Sequence, residues 1–307
     1  GNQRAALAAV RALGKKGIPV VVADHMPHSI AAASKFCQQS FLYPSPYTDP
    51  EAFISVLIEK LAIFPQVVLF PMTDVTLSEV LLNRKRFPDG VVLPFPGWEA
   101  YQKVSDKVNL FREARNLSVP MPETLFSDDF DSSSDMLVAA ASLGYPLVCK
   151  AAFSRVRTGD TWTSTSVRYV LSEDDLSQML AAKPFAQTPF VIQEKIEGPG
   201  VGVFVFMNNG ELLSSFAHQR LREKPPSGGV SVLCQSIKPP AIALDAAVRI
   251  LKAHEWTGVA MVEYKQDVRT GLPKLIKVNG RFWGSLQLAV ASGVDFPFLL
   301  YAHALGL

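Results

Sequence analysis

The sequence has few cysteines and no excess of either charge. Cys37, Cys149 and Cys234 are the only cysteines among 307 residues. Because they are widely spaced and odd in number, they form no metal-binding motif and argue against a disulfide framework, which favours a reducing, cytoplasmic environment. Thirty basic residues against 28 acidic residues give a net charge of +2, which is too small to indicate a nucleic-acid-binding surface.

Long apolar runs and dinucleotide motifs are also missing. The most apolar stretch, Leu286–Leu307, is interrupted by polar residues and by Pro297, so it suits a buried helix and loop better than a membrane span. The sequence has no G-x-G-x-x-G motif, which argues against a dinucleotide site. It does have 48% hydrophobic residues, enough for the cores of two or three subdomains.

The first third of the chain alternates helical and strand-like patterns. The predicted elements are helix Gln3–Leu13, strand Ile18–Ala23, helix Pro50–Ala62, strand Val67–Pro71, helix Thr76–Lys85 and strand Val91–Pro94. This alternation indicates a parallel α/β sheet, and we predict an N-terminal domain over residues 1–95. Ligands bind at the carboxyl ends of strands in such sheets, which makes Asp24 and Thr73-Asp74 candidate site residues.

The chain opens on a helix, whereas a doubly wound sheet normally contains a strand before its first helix. We therefore expect one strand upstream of Gly1, and further residues after Leu307. On this expectation the N-terminal domain lacks the strand that would lie beside Ile18–Ala23.

The rest of the sequence predicts two α+β lobes, over residues 96–189 and 190–307, after a boundary at Pro94–Gly97. The predicted elements are helix Trp98–Asn116, helix Ser132–Ser142, strand Pro146–Ala151, polar loop Ser154–Ser166, strand Val167–Leu171 and strand Phe190–Ile196. Asn208-Asn209-Gly210 lies between two strand-like segments and predicts a hairpin turn. The fold class is therefore α/β, with a parallel-sheet domain followed by two α+β lobes.

A second hairpin is predicted from the strand-like segments Gly258–Asp267 and Lys274–Phe282. A turn centred near Thr270 places Glu263 opposite Lys277, close enough for an ion pair, and period-two alternation directs Lys277, Asn279 and Arg281 to one face. An acid, an amide and a guanidinium on a rigid sheet suit a hard cation and the phosphate oxygens that it bridges. From spacing alone, a sheet whose polar face meets water explains the pattern equally well.

Two lysines stand out further upstream. Lys150 lies in an apolar strand, and burial of an ammonium is unfavourable unless an anion pairs with it. Lys107 precedes a helical segment and, taken alone, suits a solvated surface residue. Lys150 is therefore the stronger candidate for contact with an anionic ligand.

Together these segments resemble the ATP-grasp ligases. Lys107 and Lys150 occupy the places of the family's two phosphate-binding lysines, and Leu275–Ser285 resembles its metal-binding strand, with the pattern Glu-x-Asn-x-Arg. Glu263, Asn279 and Arg281 match that pattern, while Lys277 stands where the family has a magnesium-binding Glu. The resemblance therefore implies ATP and Mg²⁺ as cofactors, with Glu263 and Asn279 as metal ligands and Arg281 as a catalytic residue.

The same resemblance implies which segment binds the nucleotide base and which loop forms a mobile flap. The segment Val191–Gly198 is similar to the family's adenine hinge, where backbone groups pair with the base between apolar side chains. The residues implied to bind ATP there are Gln193, Glu194, Lys195, Ile196, Glu197 and Gly198. A plain edge strand ending at Gly198 is the alternative. The polar loop Ser154–Ser166 would cover the phosphates, and an ordinary surface loop is its alternative.

The tract Phe216–Ser231 resembles a subgroup of ATP-grasp carboxylate–amine ligases. Arg220 and Arg222 precede Gly228-Gly229, whose backbone amides are able to approach an anion closely. The resemblance implies that these groups hold the substrate carboxylate or its acyl phosphate. His218 is interpreted as a structural strand residue rather than a catalytic base.

The function implied is ATP-dependent ligation of a small-molecule carboxylate and an amine through an acyl phosphate, with release of ADP and phosphate. No nucleic-acid or membrane partner is expected, and a homodimer is one possible assembly. Because Lys277 replaces a metal ligand, the alternative is an ATP-binding protein with lost or weakened ligase activity and weak magnesium dependence. A biotin-dependent or carbamoyl-phosphate-type carboxylase is a third candidate, although no feature indicates a biotin partner.

Overall fold

A computed structural model of the chain describes residues 1–159, 161–225 and 229–307. Its N-terminal region contains α1 (Arg4–Gly14), β1 (Val20–Asp24), β2 (Cys37–Leu42), α2 (Pro50–Leu61), β3 (Val67–Val68), α3 (Asp74–Leu82) and β4 (Val91–Val92). β1 pairs with β2 and β3 pairs with β4, both in parallel. The predicted α/β alternation is confirmed, although the parallel pairing takes the form of short two-stranded ladders.

The middle of the chain forms an antiparallel sheet with helices. Its elements are α4 (Trp98–Ser105), α5 (Lys107–Asn116), β5 (Thr124–Phe126), α6 (Ser133–Leu143), β6 (Leu147–Ala151), β7 (Arg155–Thr158), β8 (Thr161–Ser164), β9 (Arg168–Val170), α7 (Glu173–Ala181) and β10 (Phe190–Glu194). The strands of the main sheet are ordered β5-β10-β6-β9. β7 and β8 pair separately as a hairpin.

Two predictions in this region are wrong. The single helix Trp98–Asn116 is divided at Asp106, whose carboxylate accepts hydrogen bonds from the backbone N–H groups of Val108 (2.8 Å) and Asn109 (3.3 Å) and so caps a new helix. The segment Ser154–Ser166, predicted as a polar loop, contains the β7–β8 hairpin. The prediction failed because these polar strands lack the apolar alternation by which a strand is recognised in a sequence. Asp160 lies outside the described residues.

The C-terminal region contains β11 (Gly200–Asn208), β12 (Glu211–Lys224), β13 (Val230–Ile237), α8 (Ala241–Lys252), β14 (Gly258–Gln266), β15 (Pro273–Asn279), α9 (Leu286–Ala291) and α10 (Phe296–Ala304). The antiparallel sheet is ordered β13-β12-β11-β14-β15. Asn209 and Gly210 have φ values of 47° and 80°, which confirms the predicted hairpin turn. The predicted pairing of Glu263 with Lys277 is also confirmed.

One hydrophobic core joins the N-terminal and C-terminal regions. It contains residues of α1, α3, α4 and α5, the sheet β11–β15, and α9 and α10. A separate core fills the middle region and includes Cys149, a small side chain that is fully buried. The division into 1–95, 96–189 and 190–307 stays a prediction. Within the described part of the chain, no helix has both the length and the apolar character needed to cross a membrane.

Candidate functional site

Three lysines from separate elements converge between the middle and C-terminal regions. Lys107 begins α5, Lys150 lies on β6 and Lys277 lies on β15. Burial, with the nearby Lys277 and Lys150 ammonium groups, lowers the pKa of Lys107 to about 7. Burial, with a further contribution from Lys277, lowers the pKa of Lys150 to about 8, although Glu263 opposes this shift. Crowded, buried cations of this kind form a site that favours a polyanion.

Lys107 is fixed by the helix cap and by the end of β6. Its ammonium donates to the backbone oxygens of Ala151 (3.1 Å) and Ala152 (3.3 Å) and to Oγ of Ser154 (3.1 Å). Because Asp106 starts α5 at this position, the Lys107 side chain lies against the strand rather than in solvent. Lys107 is therefore a buried residue and not the solvated surface residue that its local sequence suggested.

Lys150 is oriented by a buried chain of hydrogen bonds. Its Nζ donates to Oε1 of Gln193 (2.7 Å), and Nε2 of Gln193 donates to Oγ1 of Thr124 (2.9 Å). The Thr124 hydroxyl donates in turn to the backbone oxygen of Pro122 (2.7 Å). Gln193, predicted as a hinge residue, therefore directs its side chain to Lys150.

The segment after β10 offers free backbone donors. Among the described residues, the N–H groups of Lys195 and Ile196 have no acceptor. Gly198 has a φ of 142°, and a Cβ there would lie 1.8 Å from the backbone oxygen of Gln266, so only glycine fits. The Glu194 carboxylate accepts from the backbone N–H of Glu123 (3.1 Å).

The charged side chains of this segment pair with one another or with the next strands. Glu194 forms an ion pair with Arg269 (2.6 Å), and Glu197 forms an ion pair with Lys195. The charged groups of Glu194, Glu197 and Lys195 are therefore already engaged in ion pairs. A ligand at this segment would meet backbone groups and the buried side chain of Ile196.

Glu263 is contacted by Arg220 and not by Lys277. Its Oε2 accepts from Nη2 of Arg220 (2.6 Å) and its Oε1 accepts from Nδ2 of Asn279 (2.6 Å). Burial would raise the pKa of Glu263, but Arg220 and Lys277 outweigh it and the pKa is lowered. The predicted Glu263–Lys277 ion pair is wrong, because the guanidinium of Arg220 contacts this carboxylate and a bulge at Ile276 of β15 adjoins the pair.

Arg281 joins the site to the N-terminal region. Its Nε and Nη2 donate to the two carboxylate oxygens of Asp74 at 2.7 and 2.9 Å. Burial would raise the pKa of Asp74, but the Arg281 guanidinium lowers it to about 2. Asp24 lies elsewhere and accepts from the backbone N–H groups of Asn2 (2.6 Å) and Met26 (2.9 Å).

The β7–β8 hairpin is docked on the N-terminal region. Nε1 of Trp162 donates to Oε1 of Glu79 (2.8 Å), and Nη1 of Arg157 lies 3.4 Å from the same oxygen. The backbone N–H of Trp162 donates to the oxygen of Tyr47 (3.0 Å). Sequence reasoning missed this contact, although a tryptophan in a polar loop and a glutamate on an apolar helix were detectable signals.

A cleft of about 240 Å³ opens between this hairpin, α3, α4 and β15. Its walls include the side chains of Trp98, Tyr101, Phe153 and Trp162, and Lys277 lines it from β15. None of these aromatic residues was predicted as a site residue. They lie on separate elements of the chain, and only the packing of those elements brings them together.

Comparison with known proteins identifies the fold. Residues 186–307 match the family described as ATP-grasp in the biosynthetic pathway with Ter operon. The biotin carboxylase domain of Hydrogenobacter thermophilus 2-oxoglutarate carboxylase aligns with a TM-score of 0.73 and 16% identity, over 100% of this chain and 68% of that one. This chain has the ATP-grasp fold.

Other ATP-grasp structures align over the same length. Campylobacter jejuni biotin carboxylase gives a TM-score of 0.72 at 19% identity, over 100% of this chain and 70% of that one. Aspergillus clavatus N5-carboxyaminoimidazole synthase gives 0.68 at 18% identity, over 100% and 75%. No curated protein matches the sequence.

The ATP-grasp metal position does not fit a magnesium ion held by protein carboxylates. Both oxygens of Glu263 already accept hydrogen bonds, and Lys277 stands where the resemblance implies a second carboxylate. Residues 1–159, 161–225 and 229–307 contain no group of three or more His, Cys, Asp or Glu side chains placed to hold a metal. Mg²⁺ requires octahedral oxygen ligands, whereas this position presents a guanidinium and an ammonium.

The arginines predicted to hold the substrate carboxylate lie apart. Arg220 contacts Glu263, Oε1 of Glu223 (3.1 Å) and the backbone oxygen of Gly229 (3.3 Å). A bulge in β12 separates it from Arg222, which is exposed. Gly228 and the preceding residues 226–227 lie outside the described residues.

His218 lies on β12, as expected for a strand residue, and its structural role stays a prediction. It is buried, and its Nδ1 lies 3.1 Å from Oγ of Ser285. Burial and the neighbouring Arg220 lower the pKa of His218 to about 4, so the ring is neutral near neutral pH.

Proposed function

We propose that this chain binds ATP and ligates a small-molecule carboxylate to an amine through an acyl phosphate, as a cytoplasmic enzyme. The observation that carries the proposal is the set of buried lysines, Lys107 and Lys150, beside Lys277. Such a cluster is electrostatically unfavourable alone and becomes favourable when phosphate oxygens lie among the ammonium groups.

The adenine would lie at the segment Lys195–Gly198. Free backbone N–H groups at Lys195 and Ile196 suit the acceptor nitrogens of a purine, and Ile196 supplies an apolar contact. β10 leads into this segment and pairs with β6, which contains Lys150, so both belong to one sheet. This distribution of donors suits a nucleoside triphosphate better than a free phosphate.

The proposed reaction has two steps. A carboxylate oxygen attacks the γ-phosphorus of ATP, the bond to the β-phosphate oxygen breaks, and ADP leaves. The amine nitrogen then attacks the acyl carbon, phosphate leaves with the electrons of the broken carbon–oxygen bond, and the nitrogen loses a proton to water. The lysines stabilise the charge that develops on the phosphate oxygens, and positioning provides the remaining acceleration.

The solved relatives support nucleotide use in this fold. The Hydrogenobacter thermophilus structure contains MgADP, ADP and bicarbonate, and the Aspergillus clavatus structure contains ADP and 5-aminoimidazole ribonucleotide. Those ligands belong to those proteins. For this chain they support ATP as the nucleotide and small molecules as the other substrates.

One observation favours a second candidate, an ATP-binding protein with weakened ligase activity. Arg220 and Lys277 surround Glu263 with positive charge, at the position where the family has a metal site. A guanidinium and an ammonium neutralise phosphate charge but do not organise octahedral geometry.

Calorimetric ATP titration followed by an ADP-release assay separates the candidates. The assay uses a panel of carboxylates and amines, with each omitted in turn. ADP release that requires both substrates supports ligation, and ATP binding without such release supports the second candidate. If ATP does not bind, both are wrong.

A further inference from the structure

The cleft beside Lys277 combines an apolar wall with unpaired positive charge. We define the aromatic cleft by Trp98, Tyr101, Phe153, Trp162 and Lys277, together with Arg155 of β7. Tyr101 is buried, and the other three aromatic residues are half-buried. The wall therefore offers apolar surface to a ligand, while one side remains open for entry.

Two cations in the cleft make no direct contact with an acidic side chain of the described residues. Within the described part of the chain, Lys277 and Arg155 form neither an ion pair nor a hydrogen bond through their side chains. The guanidinium of Arg155 lies 5.8 Å from the ring of Tyr47. Asp74 attracts both cations without contacting either, so an anion at this end of the cleft would meet N–H donors that are not engaged by another described residue.

The remaining charges of the cleft are already neutralised. The Asp74 carboxylate accepts hydrogen bonds from Nε and Nη2 of Arg281, and Arg157 lies beside Glu79. Neither Asp74 nor Arg157 is therefore available to recognise an ionised ligand. The available charge of the cleft is positive, which excludes a cationic ligand and favours an anionic one.

Lys277 links the aromatic cleft to the three-lysine cluster. The residue lines the cleft and also lies close enough to Lys107 and Lys150 to interact with them electrostatically. A carboxylate bound to Lys277 would thus lie beside the position proposed for the ATP phosphates. This is the arrangement that acyl-phosphate formation requires.

We propose that the aromatic cleft binds the carboxylate substrate, and that this substrate is a monocarboxylate with an apolar group the size of a phenyl ring. The inference rests on the proposed function. The aromatic walls of this cleft, which has a volume of about 240 Å³, suit one aromatic ring, and its two cations suit one carboxylate. Lys277 and Arg155 contact the carboxylate in this proposal. Arg220, which the resemblance implied for that role, is instead paired with Glu223 and Glu263.

The first test is a calorimetric titration of the unmodified protein with three probes. 3-Phenylpropionate carries both features, 3-phenylpropionamide lacks the charge, and acetate lacks the apolar group. We expect 3-phenylpropionate to bind at least tenfold more tightly than either control. Equal affinity for the acid and the amide, or for the acid and acetate, overturns the proposal without requiring any variant.

The second test uses matched charge-removing variants. Lys277→Met and Arg155→Gln should each weaken 3-phenylpropionate binding at least fivefold. Their controls are Lys85→Met and Arg11→Gln, at exposed positions away from the cleft, which should leave the affinity unchanged. Folding of each variant is checked by circular dichroism. Folded Lys277→Met and Arg155→Gln proteins that bind 3-phenylpropionate like the unmodified chain contradict the assignment.

The same samples distinguish this inference from the proposed function. ADP release with other carboxylates, without binding of 3-phenylpropionate, overturns the cleft assignment and leaves ligation intact. Binding of 3-phenylpropionate with the expected losses in Lys277→Met and Arg155→Gln supports the cleft assignment. If ATP then gives no ADP release with any carboxylate and amine, ligation is wrong while the carboxylate site remains.

Discussion

At the scale of single residues, the central feature is a pair of lysines kept almost entirely from solvent. Lys107 and Lys150 are 5% and 7% exposed, and their hydrogen-bond acceptors are neutral oxygens. Burial of an ammonium with neutral partners is unfavourable, and a bound polyanion relieves that cost. The buried ammonium groups of the free protein therefore favour the binding of an anion at this site.

Replacement of Lys150 should weaken ATP binding directly. Lys150→Ala removes a charge-assisted hydrogen bond to phosphate, and such bonds contribute roughly 1.5–3 kcal/mol. We expect a loss of that size in calorimetric ATP titrations, while Lys85→Ala, at an exposed position, leaves the affinity unchanged. Undiminished affinity in a folded Lys150→Ala protein would remove Lys150 from the nucleotide site.

The lowered pKa values of both lysines predict pH-dependent ATP binding. The pKa is about 7 for Lys107 and about 8 for Lys150 in the free protein, and phosphate favours the charged form, so binding raises both values. Because the free lysines lose protons as pH rises, affinity should fall at least about tenfold from about pH 7 to about pH 9, with proton uptake on binding. Titrations in buffers of different ionisation enthalpy measure that uptake; pH-independent affinity with no uptake would contradict the prediction.

Lys277 sets the magnesium dependence. In the unmodified chain, Mg²⁺ should change ATP affinity little, since the metal position contains Arg220 and Lys277. Lys277→Glu places a second carboxylate opposite Glu263, so Mg²⁺ should then raise ATP affinity at least about tenfold, or about 1.4 kcal/mol. ATP titrations with EDTA and with Mg²⁺ measure this effect, and Lys85→Glu is the control. Strong magnesium dependence in the unmodified chain would show that Lys277 is not at the metal position.

At the scale of elements, the β7–β8 hairpin closes one side of the aromatic cleft. β8 is largely exposed, Arg155 and Val156 of β7 are half-buried, and the hydrogen bond from Trp162 to Glu79 connects the hairpin to α3. Glu79 is 1% exposed, and a buried carboxylate that loses a donor is destabilised. The hairpin therefore has a specific attachment rather than a broad apolar interface.

Loss of the tryptophan N–H should release the hairpin. Trp162→Phe retains an aromatic ring but removes the donor to Glu79, at a cost of about 1–3 kcal/mol. We expect at least about tenfold faster backbone hydrogen exchange in β7 and β8, with exchange in β11 unchanged. Ser164→Ala, an exposed position on the same strand, should exchange normally. If Trp162→Phe exchanges like the unmodified chain, the bond does not hold the hairpin.

At the scale of the whole molecule, the N-terminal region is stabilised by the C-terminal region. The ring of Phe282 lies 5.5 Å from Phe70 and 6.1 Å from Trp283, edge-on or tilted. The Asp74–Arg281 ion pair adds a polar connection between the same regions. Separation of these regions would therefore expose apolar surface and break an ion pair at once.

Truncation of Phe282 should weaken the entire chain. Phe282 is fully buried, and Phe→Ala in a core costs ~3–5 kcal/mol. Urea unfolding should show a loss of that size in the free energy of unfolding, whereas Ile63→Ala, at a residue that is 70% exposed, should change it by less than about 0.5 kcal/mol. A Phe282→Ala protein of unchanged stability would show that the shared core does not couple the regions.

Local patterns in the sequence determined the elements and one register. The Asn209-Gly210 turn requires positive φ, and the alternation around Thr270 sets the pairing of Glu263 with Lys277, so both were predictable from nearby residues. The α/β alternation of the N-terminal region was likewise local. The break at Asp106 was also readable in principle, since aspartate commonly caps a helix.

Only the tertiary structure decided which side chains pair. Arg220 contacts Glu263 across the intervening strand β11, Arg281 contacts Asp74 over 207 positions, and Gln193 orients Lys150 from a neighbouring strand. Sequence spacing carries no information about such contacts, because they depend on the packing of separate elements. The sequence by itself determined the local geometry and the types of charge at the site, while long-range packing determined their partners and so the properties of the site.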